Sequence, residues 1–314
     1  MPVSSSMPDD VIVLHDALEK IREFYGTPEE YASSHSHRGE GRGGVIPLKN
    51  CGTALRFLQV HIAQCYPGAP ITLTGDPRLM ERDGKPTTQT TSARILHGED
   101  IPVEPNESPY ITMSRRMAEA YSEFRERSYS ETVLQQSGPT GVAGLLEADW
   151  SAASYWYEYI AIHGGSLLLE GLTSDSLQGD RVVADIYAEY FGVETTFVPE
   201  GALIRSVRRS RSVSEAVCTL SARRAVSIDF VNIPDLYPAI ALTCERLGIT
   251  LHATGTERLR YKESDRLEAV RLHEVRNDHR IAMALMAADY PVSQDEQRCI
   301  AKSYPAFVAE LCGV

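Results

Sequence analysis

Apolar side chains between Asp10 and Ile21 recur three and four positions apart, the spacing of one helix face. Comparable stretches run from Thr53 to Gln64, Ser151 to His163, Asp180 to Phe191, Pro234 to Leu247 and Asp278 to Asp289. Their ends carry helix punctuation: the turn Asn50-Cys51-Gly52-Thr53 opens one helix, and Gly192 and Gly248 close two others. Between them lie short strand-forming runs, Ile71–Leu73, Leu167–Leu169, Glu194–Phe197, Ala225–Asp229 and Thr250–His252. Helices alternating with strands predict an α/β fold. The segment Ser128–Gly144 is rich in Ser, Gly, Gln and Thr. It separates two halves of similar organisation and predicts a boundary near Gly141. Gly26–Gly44 and Arg205–Arg224 are polar and predict irregular structure.

Composition adds limits rather than detail. A chain of 314 residues accommodates two domains, and 43% hydrophobic with 24% charged residues is ordinary for a globular protein. The formal net charge of -12 argues against non-specific nucleic-acid binding but leaves room for an anionic small molecule held by a few focused cations. The basic stretch around Arg205–Arg224 lacks interleaved aromatics, so it reads as a charged strand pair or solvated loop. No apolar run is long enough to span a bilayer, and the N-terminus lacks the pattern of a secretion signal. Cytoplasm is the expected location. The six cysteines form no C-x-x-C pair and are expected to be reduced and mostly buried. His35 and His37 alternate in a polar segment and read as a loop rather than a metal site.

The strongest chemical signal lies in Thr254–Leu267, where charges of both signs crowd together. Lys262 and Arg266 are four apart, which predicts that they share one helix face, with Glu263 beside them. Two cations and a carboxylate near a helix start can hold a phosphate or carboxylate and move a proton beside it. An exposed helix laced with salt bridges is the alternative. Further along, Asn277-Asp278-His279-Arg280 puts cationic side chains at a helix N-terminus, with Asn277 or Asp278 as cap. A cation there is unfavourable unless a carboxylate or bound anion compensates it. Gly52 permits close approach of an anion to backbone N–H groups, and Arg78 and Arg82 follow a Gly-Asp-Pro turn after a strand.

Seven segments in order resemble the 5-enolpyruvylshikimate-3-phosphate synthase (3-phosphoshikimate 1-carboxyvinyltransferase) family. They are Asn50–Arg56, Thr74–Arg82, Asp149–Tyr155, Gln178–Asp180, Lys262–Leu267, Asp278–Ala284 and Ala301–Pro305. The resemblance implies two similar domains of βαβαββ units with pseudo-threefold symmetry, some of them incomplete in this chain. Residues 1–142 would form the shikimate-phosphate side and 143–314 the phosphoenolpyruvate and proton-transfer side. It implies transfer of the enolpyruvyl group of phosphoenolpyruvate to the 5-hydroxyl of shikimate 3-phosphate, without metal or organic cofactor. No nucleic-acid or membrane partner is implied, and a monomer is expected. By resemblance Asp235 takes the hydroxyl proton, and Glu263 and Lys262 form the proton-transfer pair. Arg82, Arg266, His279, Arg280 and Lys302 hold phosphoenolpyruvate. Thr87, Thr88, Gln89 and Tyr110 line the shikimate-phosphate side, and Asn50 and Gly52 are further substrate-binding candidates.

The chain also departs from that pattern. The family's Pro-x-Ser-Lys-Ser opening has no lysine here, since Pro2-Val3-Ser4-Ser5 leads to Asp9 and Asp10. Whole blocks are missing between Arg82 and Thr87 and after Val270, which suggests segments left out of a longer parent chain; an intact mass of 34.7 kDa would rule that out. Two other readings remain. One is the sister enolpyruvyl transferase acting on UDP-N-acetylglucosamine, whose reactive cysteine has no counterpart in Thr74–Arg82. The other is a paralogue that binds phosphorylated ligands without turnover.

Overall fold

The computed structural model describes residues 8–33, 44–81, 87–128, 147–207 and 225–314. The chain divides into two compact units, Met1–Glu131 and Thr132–Val314. The boundary expected near Gly141 falls outside the described residues. Both units mix helices with small sheets, as the alternating pattern implies.

In the first unit, helix α1 (Asp9–Tyr25) buries Val13, Ala17, Ile21 and Tyr25, a stripe at helical spacing. That stripe joins Ile46, Leu48, Leu55, Leu58 and Leu79 in one core. Helix α2 (Pro28–Ser33) lies within a stretch expected to be irregular. Thr27 and Glu30 explain it: Glu30 Oε2 accepts from the Thr27 N–H at 2.7 Å, and Thr27 Oγ1 accepts from the Glu30 N–H at 3.3 Å. This reciprocal box nucleates a single short helix.

Strand β1 (Gly44–Pro47) and strand β2 (Ile71–Thr74) pair in parallel, Gly44 opposite Ile71, and are connected through helix α3 (Gly52–Cys65). Helix α4 (Pro77–Met80) is one turn. Helices α5 (Thr88–Leu96) and α6 (Pro109–Ser128) complete the unit, with α5 packed against both α3 and α6.

In the second unit, helix α7 (Trp150–His163) buries side chains around most of its circumference, as a helix inside a core must. Strands β3 (Ser166–Glu170), β4 (Val193–Val198) and β5 (Gly201–Ser206) form an antiparallel sheet with β5 in the centre. The helical run from Asp180 to Phe191 is a composite: a 3-10 turn Gly179–Val182, helix α8 (Val183–Ile186) and a π turn Tyr187–Phe191, closed by Gly192 in the left-handed region. Strand β6 (Ala225–Asp229), a 3-10 turn Pro234–Leu236, helix α9 (Tyr237–Leu247) and strand β7 (Thr250–Thr254) form a β-helix-β unit with parallel strands. A 3-10 turn Glu257–Tyr261, helix α10 (Arg266–Leu272), helix α11 (His279–Ala287), helix α12 (Gln294–Gln297), a 3-10 turn Arg298–Lys302 and helix α13 (Phe307–Leu311) follow.

Gly255 fixes how the chain leaves β7. Its φ is +66°, and a Cβ there would lie 2.2 Å from Asp229 Oδ1 and 2.6 Å from the Val231 nitrogen. Only glycine lets the two strand ends sit this close.

Candidate active site

The loops after β6 and β7 leave the same end of a parallel pair, the place where open α/β sheets present side chains to ligands. The first carries Asp235 on its 3-10 turn. The second carries Lys262 and Glu263 between the 3-10 turn and α10. The expectation that Lys262 and Arg266 share one helix face is corrected here. Lys262 is extended (φ -77°, ψ -160°), and α10 begins only at Arg266, capped by Asp265 accepting from the Glu268 N–H. The two cations meet on a carboxylate instead. Lys262 Nζ lies 3.3 Å and Arg266 Nη1 2.6 Å from Asp235 Oδ1, and Arg280 Nη2 lies 3.3 Å from Asp235 Oδ2.

A second carboxylate organises the other half of the cluster. His279 Nδ1 lies 2.8 Å from Glu263 Oε2, and Lys302 Nζ donates to Glu263 Oε1 at 2.6 Å. Asp278 does two jobs at the start of α11. Its Oδ1 accepts from the Arg280 N–H at 3.1 Å, and its Oδ2 accepts from Arg266 Nε at 2.8 Å and Ser264 Oγ at 3.1 Å. So Glu263 and Asp235 face His279 and Arg280 at the start of α11, while Asp278 braces Arg266. Arg266 and Asp278 are sealed at 2% and 0% exposure, whereas Lys262 and Asp235 remain open at 26% and 21%. The cluster therefore has a closed floor and an accessible upper surface.

Electrostatics follow from this packing. Burial opposes the charge on Asp235, but Arg280, Lys262 and Arg266 outweigh it and hold its carboxyl well below the usual range. Burial likewise opposes the charge on Glu263, and His279, Lys302 and Arg266 overcome it, so this carboxyl too stays ionised. An ionised Glu263 only accepts, so Nδ1 of His279 carries the proton between them. For Lys262 the attraction of Asp235 favours the ammonium. Burial and the neighbouring Arg266 and Arg280 win, and its pKa falls below the ordinary lysine value. Four basic side chains, Lys262, Arg266, Arg280 and Lys302, face three carboxylates, Asp235, Glu263 and Asp278. The surplus is positive and suits an anion.

Glu263, Asp278 and His279 bring ligand atoms within 4.8 Å of one another, a spacing that could suggest a metal. Lys302 on Glu263 and Arg266 on Asp278 already supply the positive charge, so a dication would meet repulsion there.

Asp180 is a residue the motif reading quoted without a role. It is fully buried; Ser151 Oγ donates to its Oδ2, and its Oδ1 has no hydrogen-bond partner among the described residues. Burial and the nearby Asp235 charge push its carboxyl up to about 7. Asp278 was read only as a helix cap. A capping aspartate beside a run containing an arginine destined for burial was the available signal.

In the first unit, the remaining candidates lie at the N-terminal ends of three helices, α3, α5 and α6. Cys51 caps α3 by accepting from the Ala54 N–H, and buried Arg56 donates to the Gly52 carbonyl at 2.9 Å, fixing the turn that carries Asn50 and Gly52. Thr87 caps α5, Thr88 begins it, and Gln89 Nε2 donates to Thr53 Oγ1 at 2.8 Å. Tyr110 lies in the first turn of α6, the helix packed on α5. Arg82 lies outside the described residues.

Comparison with known proteins agrees with this chemistry. The EPSP synthase (3-phosphoshikimate 1-carboxyvinyltransferase) family model matches residues 86–276, which include Asp235, Lys262, Glu263 and Arg266. A 3-phosphoshikimate 1-carboxyvinyltransferase of Bacteroides fragilis (strain YCH46) is 26% identical over 400 positions, covering 99% of this chain and 93% of that protein. Proteins of the same name from Methanosphaerula palustris and Methanopyrus kandleri are 24% and 28% identical, covering 95% and 99% of this chain and 87% and 79% of their own lengths. The 400 aligned positions exceed the 314 residues of the chain, so that alignment leaves gaps in it. The chain belongs to the EPSP synthase family, the 3-phosphoshikimate 1-carboxyvinyltransferases.

Proposed function

We propose that this protein transfers the enolpyruvyl group of phosphoenolpyruvate to the 5-hydroxyl of shikimate 3-phosphate and releases phosphate, a step of aromatic amino acid biosynthesis. The observation that carries the reading is the convergence of Lys262, Arg266, His279, Arg280 and Lys302 around Asp235 and Glu263, with positive charge in surplus. The reaction needs a proton delivered to the methylene carbon of phosphoenolpyruvate and one removed from the attacking hydroxyl. Fixed cations stabilise the charge that develops.

Asp235 is the candidate base. Without substrate its charge is shared among three cations, which makes it a weak base. A phosphate and carboxylate arriving on Arg280 and Lys262, the more open of the three cations, would draw them away from Asp235 and raise its proton affinity. The site would then become basic only when occupied. Of Lys262 and Glu263, Lys262 is the better proton donor in this arrangement, because its pKa is lowered while Glu263 stays ionised. Arg82 would add to the phosphoenolpyruvate grip. Thr87, Thr88, Gln89, Tyr110, Asn50 and Gly52 would serve the shikimate-phosphate side.

The same reading supplies the finer architecture. In the second unit the order α7, β3, helical run, β4, β5 is the order of a βαβαββ unit after its first strand. Among the described residues the parallel sheets β1–β2 and β6–β7 have two strands each, fewer than parallel sheets usually have, as expected of units incomplete in this chain. We assign residues 1–142 to the shikimate-phosphate side and 143–314 to the phosphoenolpyruvate side. A monomeric cytoplasmic enzyme whose reaction needs no metal or organic cofactor fits the reading. Among the described residues no helix is long and apolar enough to cross a membrane.

The test is phosphate release from phosphoenolpyruvate with shikimate 3-phosphate, against each substrate alone. Turnover that needs both is the expected result. Binding of both without turnover would establish the ligand-binding paralogue, and turnover only with UDP-N-acetylglucosamine the sister enzyme.

A further inference from the structure

A second group of chemistry-bearing side chains lies in the first unit and plays no part in the reading above. His61 and Cys65 are four apart on α3 and so project from one face. His97 comes from the C-cap of α5, its position fixed by its own N–H bond to the Ala93 carbonyl at 3.1 Å. One nitrogen of each imidazole and the Cys65 sulfur lie within 4.8 Å of one another. Cys65 Sγ is 4.0 Å from His97 Nδ1, and the two imidazole centroids are 5.2 Å apart.

We propose that His61, Cys65 and His97 form a binding site for a divalent transition-metal ion, zinc by its donor set, which clips the C-terminal ends of α3 and α5 together.

A tetrahedral zinc ion with bonds of about 2.0–2.3 Å needs its ligand atoms about 3.3–3.8 Å apart. The observed spacing reaches that with side-chain movements on the order of an ångström. One thiolate and two imidazoles select zinc and its borderline neighbours; calcium and magnesium require oxygen. His97 is exposed and His61 and Cys65 are half-buried, so an ion has a path in and water can fill the fourth position. The alternative is an S–H···N hydrogen bond between Cys65 and His97 with His61 packed by its ring on His97 and Tyr66, and metal uptake separates the two.

The site has a structural consequence. Gln89 meets Thr53 at the N-terminal ends of α5 and α3, and Cys65 meets His97 at their C-terminal ends, so the helices run side by side in the same direction. An ion at one end would hold the alignment of the ends that carry Gly52, Thr88 and Gln89.

The experiment is titration of the metal-stripped, reduced full chain with Co²⁺ followed by Zn²⁺ displacement, with thermal unfolding alongside. The expected result is one Co²⁺ per chain, with thiolate-to-metal charge-transfer absorption and tetrahedral d–d bands, both lost on adding Zn²⁺. Zn²⁺ should raise the unfolding temperature by several degrees. Cys65→Ser should abolish the charge-transfer band, and Cys65→Ser and His97→Ala should each weaken binding by at least about 10-fold. His97→Gln is the substitute if His97→Ala does not fold. Cys312→Ser and the double variant His35→Ala/His37→Ala should bind as the parent does. No stoichiometric uptake at micromolar metal would overturn the proposal, as would uptake indifferent to Cys65 and His97 or lost in the control variants.

Discussion

Arg266 and Asp235 are 31 positions apart in the chain and meet at 2.6 Å, Nη1 to Oδ1, while the same guanidinium turns its Nε to Asp278 Oδ2 at 2.8 Å. A planar fork holds two carboxylates at a fixed separation, which an ammonium cannot do. Arg266→Lys should therefore fold but lose on the order of 100-fold in kcat/KM. Arg266→Met should unfold more easily by about 3–5 kcal/mol, because Asp278 is left as a buried unpaired charge. Adding Asp278→Asn to Arg266→Met should recover part of that loss. Urea unfolding and steady-state kinetics check both, and an additive double variant would contradict the pairing.

Asp235→Asn keeps the shape of the site and removes the charge that three cations share. The expected outcome is a fall of about 10²–10⁴ in kcat. The Michaelis constant for phosphoenolpyruvate should stay level or drop, since Arg280 and Lys262 are released for the substrate. A raised Michaelis constant with unchanged kcat would assign Asp235 to binding alone.

Asp180 gives a pH prediction of defined sign. Its carboxyl titrates at 3.8 in an unstructured reference and at about 7 in the folded protein, where it faces Asp235, Arg280, Asp149 and Ser151. Below pH 3.8 both states hold the proton and the site costs nothing. Above pH 7 both are ionised, and the folded state carries a buried charge. Stability therefore falls between those limits, by at most about 4 kcal/mol. Asp180→Asn should remove much of this fall, so its unfolding temperature should gain on the parent steadily from pH 4 to pH 7. A constant difference across that range would refute it.

Glu158 sits inside α7 with no exposure, and neither carboxyl oxygen has a hydrogen-bond partner among the described residues. Burial alone raises its pKa well above that of an ordinary glutamate, so it is held neutral. Nearby hydroxyls have found partners: Tyr187 with Thr243 and Tyr157 with Thr195, each at 2.8 Å. Replacing Glu158 with Met should remove an unsatisfied polar group at similar volume and stabilise the protein by about 1–3 kcal/mol. A drop in unfolding temperature would mean that the carboxyl is satisfied by a buried water.

Local structure was legible where one principle dominates. Periodicity found α1, α3, α7 and α9, and β-branched or leucine-rich runs found β2, β3, β4, β6 and β7. Strand β5, with Gly201 at its start and Arg205 within it, looks irregular in isolation. It becomes a strand because β3 and β4 satisfy its backbone on both sides. Helix α5 begins with Thr88-Gln89-Thr90-Thr91, three of them poor helix formers, and owes its existence to the Thr87 cap and to packing on α3 and α6.

The order of residues along the chain determined which chemistry is present: a run of cations with a carboxylate at Lys262–Arg266, a charged helix start at Asp278–Arg280 and a lysine at 302. Family membership follows from the same order. Which cation answers which carboxylate was decided only in three dimensions. Lys262 and Arg266 share Asp235 rather than a helix face, and Lys302 reaches Glu263 from 39 positions away. Coulomb attraction depends on distance and burial, and both are set by how β6, β7 and α11 pack, information that no local spacing contains.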